Sequence, residues 1–315
     1  MAKRPTTAAP YRCTECGWTT VKWVGRCGEC QQWGTVVEAA EQTGIVRTLA
    51  PTAPSSDRAA QPITRVSASD APRRTTGIGE FDRVLGGGLV PGAAILLSGE
   101  PGVGKSTLLL DVAAHSAASG HRVLYASAEE SVAQVRLRAS RTGALHDELY
   151  LASETDLATI LGNVDEVQPS LLIVDSVQTV SSAMHEGAAG HPSQVREVAS
   201  TLIRVAKERG LPVIIVGHVT KDGSIAGPRI LEHLVDVVCH FEGDRQSSLR
   251  FVRALKNRFG PTDEVGCFDM AGDGIQEVAD PSALFLGHGD PVAGTCVTIA
   301  MEGRRALPVE VQALP

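Results

Sequence analysis

Nine consecutive residues, Gly99-Glu100-Pro101-Gly102-Val103-Gly104-Lys105-Ser106-Thr107, constrain this chain most, because an apolar run (93–98) precedes them and a helix-forming stretch follows. A buried strand that breaks into a glycine-rich turn and then opens a helix aims backbone N–H groups and the positive end of the helix dipole at one point. That geometry fits phosphate. Lys105 is expected to reach the β- and γ-phosphates of a nucleoside triphosphate, ATP or GTP, and Ser106 to hold its Mg²⁺. Lysine usage agrees: only six lysines stand beside 23 arginines, and Lys105, Lys221 and Lys256 all fall in motifs described below. A compact ammonium on a flexible stem suits contact with a phosphate oxygen.

Strand-like runs at 93–98, 122–127, 171–175 and 212–217 alternate with helical stretches near 106–119, 131–142, 156–167 and 193–209. Short, wholly apolar strands separated by helices predict a three-layer α/β domain around a mostly parallel central sheet. Segments 235–241 and 249–256 are expected to add strands at one edge. No run of about 18 uncharged apolar residues exists, which predicts no membrane helix, and the N-terminus has no apolar signal region. A cytoplasmic location is therefore expected.

Ligands of parallel sheets sit at the carboxyl ends of the strands, so each strand end is a search for chemistry. Leu171–Asp175 ends in a carboxylate, and Asp175 is expected in the Mg²⁺ shell, a helix cap being the alternative. The strand at 122–127 runs into Ala128-Glu129-Glu130. Glu129 is preferred as the residue that polarises the attacking water; Glu130 has the competing reading of a first-turn acid favoured by the helix dipole. At the end of 212–217, His218 is expected to bond the γ-phosphate or the water and to report to the loop that follows. A structural histidine is the alternative. That loop, 221–229, is glycine-rich and basic at both ends, which suits DNA-backbone contact. Residues 245–260 hold five basic residues and no acid. They read as a solvated strand face, a DNA contact, or cationic fingers reaching a neighbour's triphosphate.

Cys13-x-x-Cys16 and Cys27-x-x-Cys30 have the spacing of two knuckles around one tetrahedral Zn²⁺, a closed structural site. Trp23 and Trp33 read either as a docking face or as a cover for the small metal core. Cys239, Cys267 and Cys296 lack spacing partners and are expected to be buried thiols. Residues 50–60 are too rich in Ala, Pro and Ser to pack, as a linker would be. The formal charge is −7, split as +4 over residues 1–74 and −11 beyond, so DNA contact in the later part requires local basic patches or several subunits.

Four blocks together resemble the bacterial RadA/Sms family of DNA-repair ATPases, relatives of RecA. They are the cysteine array with Lys22-Trp23-Val24-Gly25-Arg26-Cys27; the stretch from Thr76 to Gly88 leading into the P-loop; Gly217 to Arg229; and Lys256-Asn257-Arg258-Phe259-Gly260. The resemblance spans about residues 11–285. It implies a RecA-like P-loop domain in a hexameric ring that hydrolyses ATP, travels on single-stranded DNA and processes branched intermediates beside a RecA-type recombinase. It also implies that Lys256 and Arg258 contact ATP, or couple it to DNA, across the subunit boundary. The 221–231 loop is implied to face DNA in the bore; residues 181–192, where a first DNA loop would lie, match less clearly. Residues 294–315 look like the opening strands of the family's Lon-protease-like domain, which predicts a shortened chain with unpaired apolar edges at 296–300 and 308–311.

The expected organisation is a zinc module (1–38), a flexible linker (39–72), a RecA-like ATPase domain (73–285) and the start of a Lon-protease-like domain (286–315). A DNA-dependent ATPase of helicase type is the first functional reading. The alternative is a nucleotide-gated adaptor that loads partner proteins on single-stranded DNA and turns ATP over slowly. A clock-type signalling ATPase would share Leu85–Leu89 but does not predict the cysteine array or Lys256–Gly260.

Overall fold

The computed structural model of the protein describes residues 11–38, 53, 59–65, 72–185, 187–218, 227–243, 248–272, 274–280 and 293–313. The chain divides into two compact units, Met1–Val66 and Ser67–Pro315.

In the first unit β1 (Tyr11–Cys13) lies between β2 (Thr19–Thr20) and β3 (Val36–Glu38), all antiparallel. Its buried apolar core is Cys13, Cys27 and Val36, with Tyr11, Trp18 and Val24 packed against them. So small a core offsets only part of the entropy of ordering the segment.

The second unit runs α1 (Gly79–Leu85), β4 (Ala94–Gly99), α2 (Lys105–Ala118), β5 (Val123–Ser127), α3 (Val132–Thr142), β6 (Leu149–Ser153), α4 (Leu157–Val167) and β7 (Leu171–Asp175). It continues with α5 (Pro192–Arg209), β8 (Val213–His218), α6 (Gly227–Glu232), β9 (Val237–Gly243), β10 (Leu249–Asn257), β11 (Val265–Ala271) and β12 (Gly274–Glu277). The nine strands order as β12-β11-β10-β9-β4-β8-β7-β5-β6. From β9 to β6 neighbours pair in parallel; β10, β11 and β12 extend the sheet antiparallel.

Alternation along each central strand builds two cores. Ile95, Leu97, Val123, Tyr125, Leu171 and Ile173 face one layer with α1, α2 and α3, whereas Leu96, Leu124, Leu172 and Val174 face α4, α5 and α6. This is the period-2 pattern of a sheet covered on both sides. Helix ends follow local chemistry. Ser131 and Gln134 form a reciprocal capping box at α3, and Asp156 accepts the Thr159 N–H at 2.9 Å at α4. Pro192 opens α5 and Gly210 closes it in the left-handed conformation.

The expected strands and helices appear within a residue or two of their sequence positions. Besides the three short strands of the first unit, five elements were not foreseen: α1, β6, α6, β11 and β12. They are short or half-exposed, and too few residues repeat for periodicity to show. Cys239 and Cys267 are buried, but Cys296 is exposed, against expectation, because it lies on β13 (Thr295–Glu302). That strand pairs antiparallel with β14 (Arg305–Gln312), so the late apolar segments pair with each other. Val297, Ile299 and Met301 remain exposed on one face. Arg305 ties the hairpin to the sheet through an ion pair with buried Glu80 and a bond to the Val265 carbonyl at 3.1 Å. The linker expected over 39–72 lies largely outside the described residues.

Candidate nucleotide site and metal centre

β4 ends where two backbones nearly touch: a Cβ on Gly99 would stand 2.3 Å from the Phe241 carbonyl oxygen, so the turn requires glycine. Gly104, at φ +113°, is the N-cap of α2 and swings the loop into the helix. Lys105 opens that helix and is only 3% exposed. Its Nζ donates to the Gly99 and Glu100 carbonyls at 2.9 Å each, folding the ammonium back over its own loop. Burial pulls its pKa from the ordinary 10.5 down to about 8, while the charges of Asp175 and Glu129 pull the other way. Asp175 and Glu129, at the ends of neighbouring strands, are the carboxylates whose charge acts on it. Val103 accepts from Arg250 Nε at 3.2 Å, so one member of the late basic segment contacts this chain's own P-loop. A cavity of about 260 Å³ opens there, lined by Glu100, Gly102, Phe241 and Arg250 among others. A roomier one, about 410 Å³, lies at the amino ends of the strands beside Pro91, Ser170 and Pro212, away from these groups.

Parallel pairing of β5 with β7 sets Ser127 level with Asp175. Asp175 is 4% exposed and caps no helix. Tyr125 donates its hydroxyl to Asp175 Oδ2 at 2.6 Å, while Oδ1 is buried without a partner. Glu129 is half-exposed. Its Oε1 accepts from the Ser176 hydroxyl and from His218 Nε2 at 3.0 Å. The His218 bond is the chief reason its carboxyl falls to about 2; the Ser176 bond and the charges of His218 and Lys105 help, and partial burial opposes. Glu130 points elsewhere, paired with Arg138 on α3. Gln178 Nε2 donates to the His218 carbonyl at 3.3 Å.

Lys105, Glu129, Asp175 and His218 therefore gather at the carboxyl ends of β4, β5, β7 and β8. Ser106 and Thr107 follow on the first turn of α2, and Glu100 to Gly104 form the loop between. Lys256 and Arg258 do not join them. Lys256 Nζ donates to the Glu232 and Val235 carbonyls at 2.8 Å, and Arg258 pairs at 3.1 Å with Asp236, whose other oxygen takes the Ala94 N–H at the start of β4. Ala94 and Gly99 stand roughly 17 Å apart along the strand. The loop 221–226 lies outside the described residues. Tyr125 and Ser176 complete the site without a sequence signal, since each acts through a neighbour brought close only by strand order; Arg250 belongs to the basic segment 245–260 but reaches this chain's own P-loop.

In the first unit the four cysteine sulfurs lie within 4.8 Å of one another, with Cys13–Cys30 at 3.7 Å and Cys16–Cys27 at 3.5 Å. A tetrahedral Zn²⁺ with bonds of about 2.3 Å needs sulfur separations of about 3.8 Å, so the donor set fits. Its thiols are unequal. The Thr35 hydroxyl, with backbone donors, lowers the Cys13 thiol to about 6. The Gln32 N–H favours the Cys30 thiolate, but burial and the neighbouring sulfurs outweigh it and push that thiol up to about 12. Four thiolates this close would repel one another, and a bound cation would offset that repulsion.

Residues 60–224 match an AAA domain family and residues 11–38 a rubredoxin metal binding domain. The DNA repair protein RadA of Mycolicibacterium smegmatis is 54% identical over 316 residues, covering 96% of this chain and 67% of that one. The chain belongs to the RadA family of DNA repair proteins. The Bacillus subtilis member is 46% identical over 326 residues, covering 100% of this chain and 69% of its own length. This chain thus spans about two thirds of the length of these relatives. A KaiC-like protein from Pyrococcus horikoshii shares the fold, with a TM-score of 0.55 and 22% identity over 66% of this chain and 99% of that one. The RecA-like α/β architecture, the AAA-type ATPase domain and the four-cysteine module are therefore family features. No described helix is long and apolar enough to cross a membrane.

Proposed function

We propose that this chain hydrolyses ATP to drive movement on single-stranded DNA and processes branched recombination intermediates in a hexameric ring beside a RecA-type recombinase. The observation that carries the reading is Asp175: buried at the end of β7, held by Tyr125 through one oxygen, its second oxygen unpartnered. A buried carboxylate oxygen without a donor is costly unless a cation arrives. Ser106 and Asp175 would hold Mg²⁺, which neutralises phosphate charge when bound.

Lys105 would exchange the Gly99 and Glu100 carbonyls for the β- and γ-phosphates. Glu129 orients the attacking water and takes its proton as the water oxygen bonds to the γ-phosphorus and the β–γ bridging oxygen leaves with ADP. Ser176 and His218 hold Glu129 at one oxygen and leave the other for that water. His218 then links the site to the residues that follow it. Lys256 and Arg258, remote from their own P-loop, would serve an adjacent subunit's phosphates. ATP turnover is measured with and without single-stranded DNA. Stimulation is expected, and Glu129→Gln should keep nucleotide binding while cutting kcat by about 10²–10⁴. Turnover indifferent to single-stranded DNA defeats the motor reading.

A further inference from the structure

Tryptophan occurs in this chain only at positions 18, 23 and 33, all within the cysteine module. Trp18 has a structural task. It packs on the Cys13–Cys27–Val36 core, and its ring lies so close to Gly28 that a Cβ there would stand 2.7 Å from it. With the metal core covered by Trp18, the other two rings are left over: Trp23 is 63% and Trp33 75% exposed. They are neighbours. Both rings reach within 3.8 Å of the point where a Cβ on Gly25 would sit, so the bare glycine leaves a space that the two ring edges share.

The frame around them is fixed. Arg26 stands over Trp33, 5.8 Å from the ring centroid, and donates through Nε and Nη2 to the Gln31 carbonyl and side chain at 2.8 Å each. Arg26 and Trp33 form a backbone bridge, and the Gly34 N–H bonds the Gly25 carbonyl at 2.8 Å. The rim is basic: 21–26 carries Lys22 and Arg26 and no acid, and 31–35 is uncharged. Two large, exposed aromatic faces flanked by Lys22 and Arg26, with Glu29 the one acid between residues 21 and 35, match a polyanion that offers flat apolar groups.

We propose that Trp23 and Trp33 form a stacking platform for unpaired bases of single-stranded DNA, with Lys22 and Arg26 facing its phosphates. The inference rests on the reading that the chain works on single-stranded DNA, and adds a contact on the unit that lacks the P-loop. Every base has a stacking face, so binding here is tolerant of sequence. Duplex DNA, whose bases are already stacked, does not use it.

Because all three tryptophans lie in this module, tryptophan emission, excited where Tyr125 and Tyr150 do not absorb, reports on it alone. An oligo-dT titration is expected to quench the emission, and a duplex of equal length to leave it nearly unchanged. The double variant Trp23→Ala/Trp33→Ala keeps Trp18 as reporter. It should lose the quench, retain bound zinc by metal analysis, and bind oligo-dT about tenfold or more weakly. Trp33→Phe should recover most of that affinity, which a purely electrostatic rim would not explain. Unchanged emission with oligo-dT, in protein whose ATPase the same DNA stimulates, overturns the platform and spares the motor reading. So does equal quenching by duplex, or full affinity in the double variant. DNA that neither quenches nor stimulates defeats both.

Discussion

Lys105 is a buried charge held by two carbonyls, and its burial makes a quantitative prediction. The ammonium is 3% exposed, sits on two carbonyls and has its pKa lowered from 10.5 to about 8. The unfolded chain therefore holds a proton between pH 8 and 10.5 that the folded chain has released. Stability with respect to this group rises as pH rises through that window. Comparison with Lys105→Met cancels every other titration. The wild-type protein should gain about 2.5 kcal/mol on the variant between pH 7 and pH 10, from a shift of about 2.5 units at 1.36 kcal/mol each, less the part still unreleased at pH 10. In a unit of this size that is a relative rise in Tm of roughly 5–10 °C. Urea melts of both proteins at several pH values, without nucleotide, measure it. The variant should lose ATP binding at every pH. Bound ATP supplies phosphate charge to the lysine, so the pH dependence should shrink when nucleotide is present. A stability difference that stays flat from pH 7 to pH 10 would mean the lysine is hydrated, and the reasoning from burial would be wrong.

Two further outcomes follow from other contacts. Tyr125→Phe leaves both Asp175 oxygens without a protein donor; it should destabilise the nucleotide-free protein by about 2 kcal/mol and weaken Mg²⁺-dependent nucleotide binding about 10- to 100-fold. A melting temperature and Mg²⁺ titration indistinguishable from wild type would contradict that role for Tyr125. Stripping the four-cysteine site with a chelator should unfold residues 11–38, seen as a red shift of tryptophan emission, while the thermal transition of the Ser67–Pro315 unit stays where it was. Unshifted emission after complete metal loss would show that the module folds without zinc.

What could be read from the sequence was chemistry held by contiguous residues. The P-loop is one strand end, one turn and one helix start, and the cysteine knuckles are i, i+3 pairs, so spacing alone predicts which atoms converge. Asp175 was legible because a four-residue apolar strand aims its last side chain at the carboxyl edge of the sheet. Glu129 over Glu130 was a preference in the sequence; in the structure Glu130 is taken up by Arg138 and Glu129 turns to His218 and Ser176. Cys296 was misplaced because β13 pairs only with β14 and its residues on both faces, from Cys296 to Ala300, stay exposed, which one cysteine in an apolar run does not reveal.

Strand order decided the rest. Pairing β5 with β7 brings Tyr125 against Asp175 and Ser176 against Glu129, and placing β9 beside β4 with β10 antiparallel on its far side lays Arg250 on the P-loop and carries Lys256 and Arg258 to the opposite end of the sheet. Local spacing and period-2 alternation are written in neighbouring residues. Which strand lies beside which is set by burial summed over contacts distant in sequence, and no short stretch of the chain encodes it.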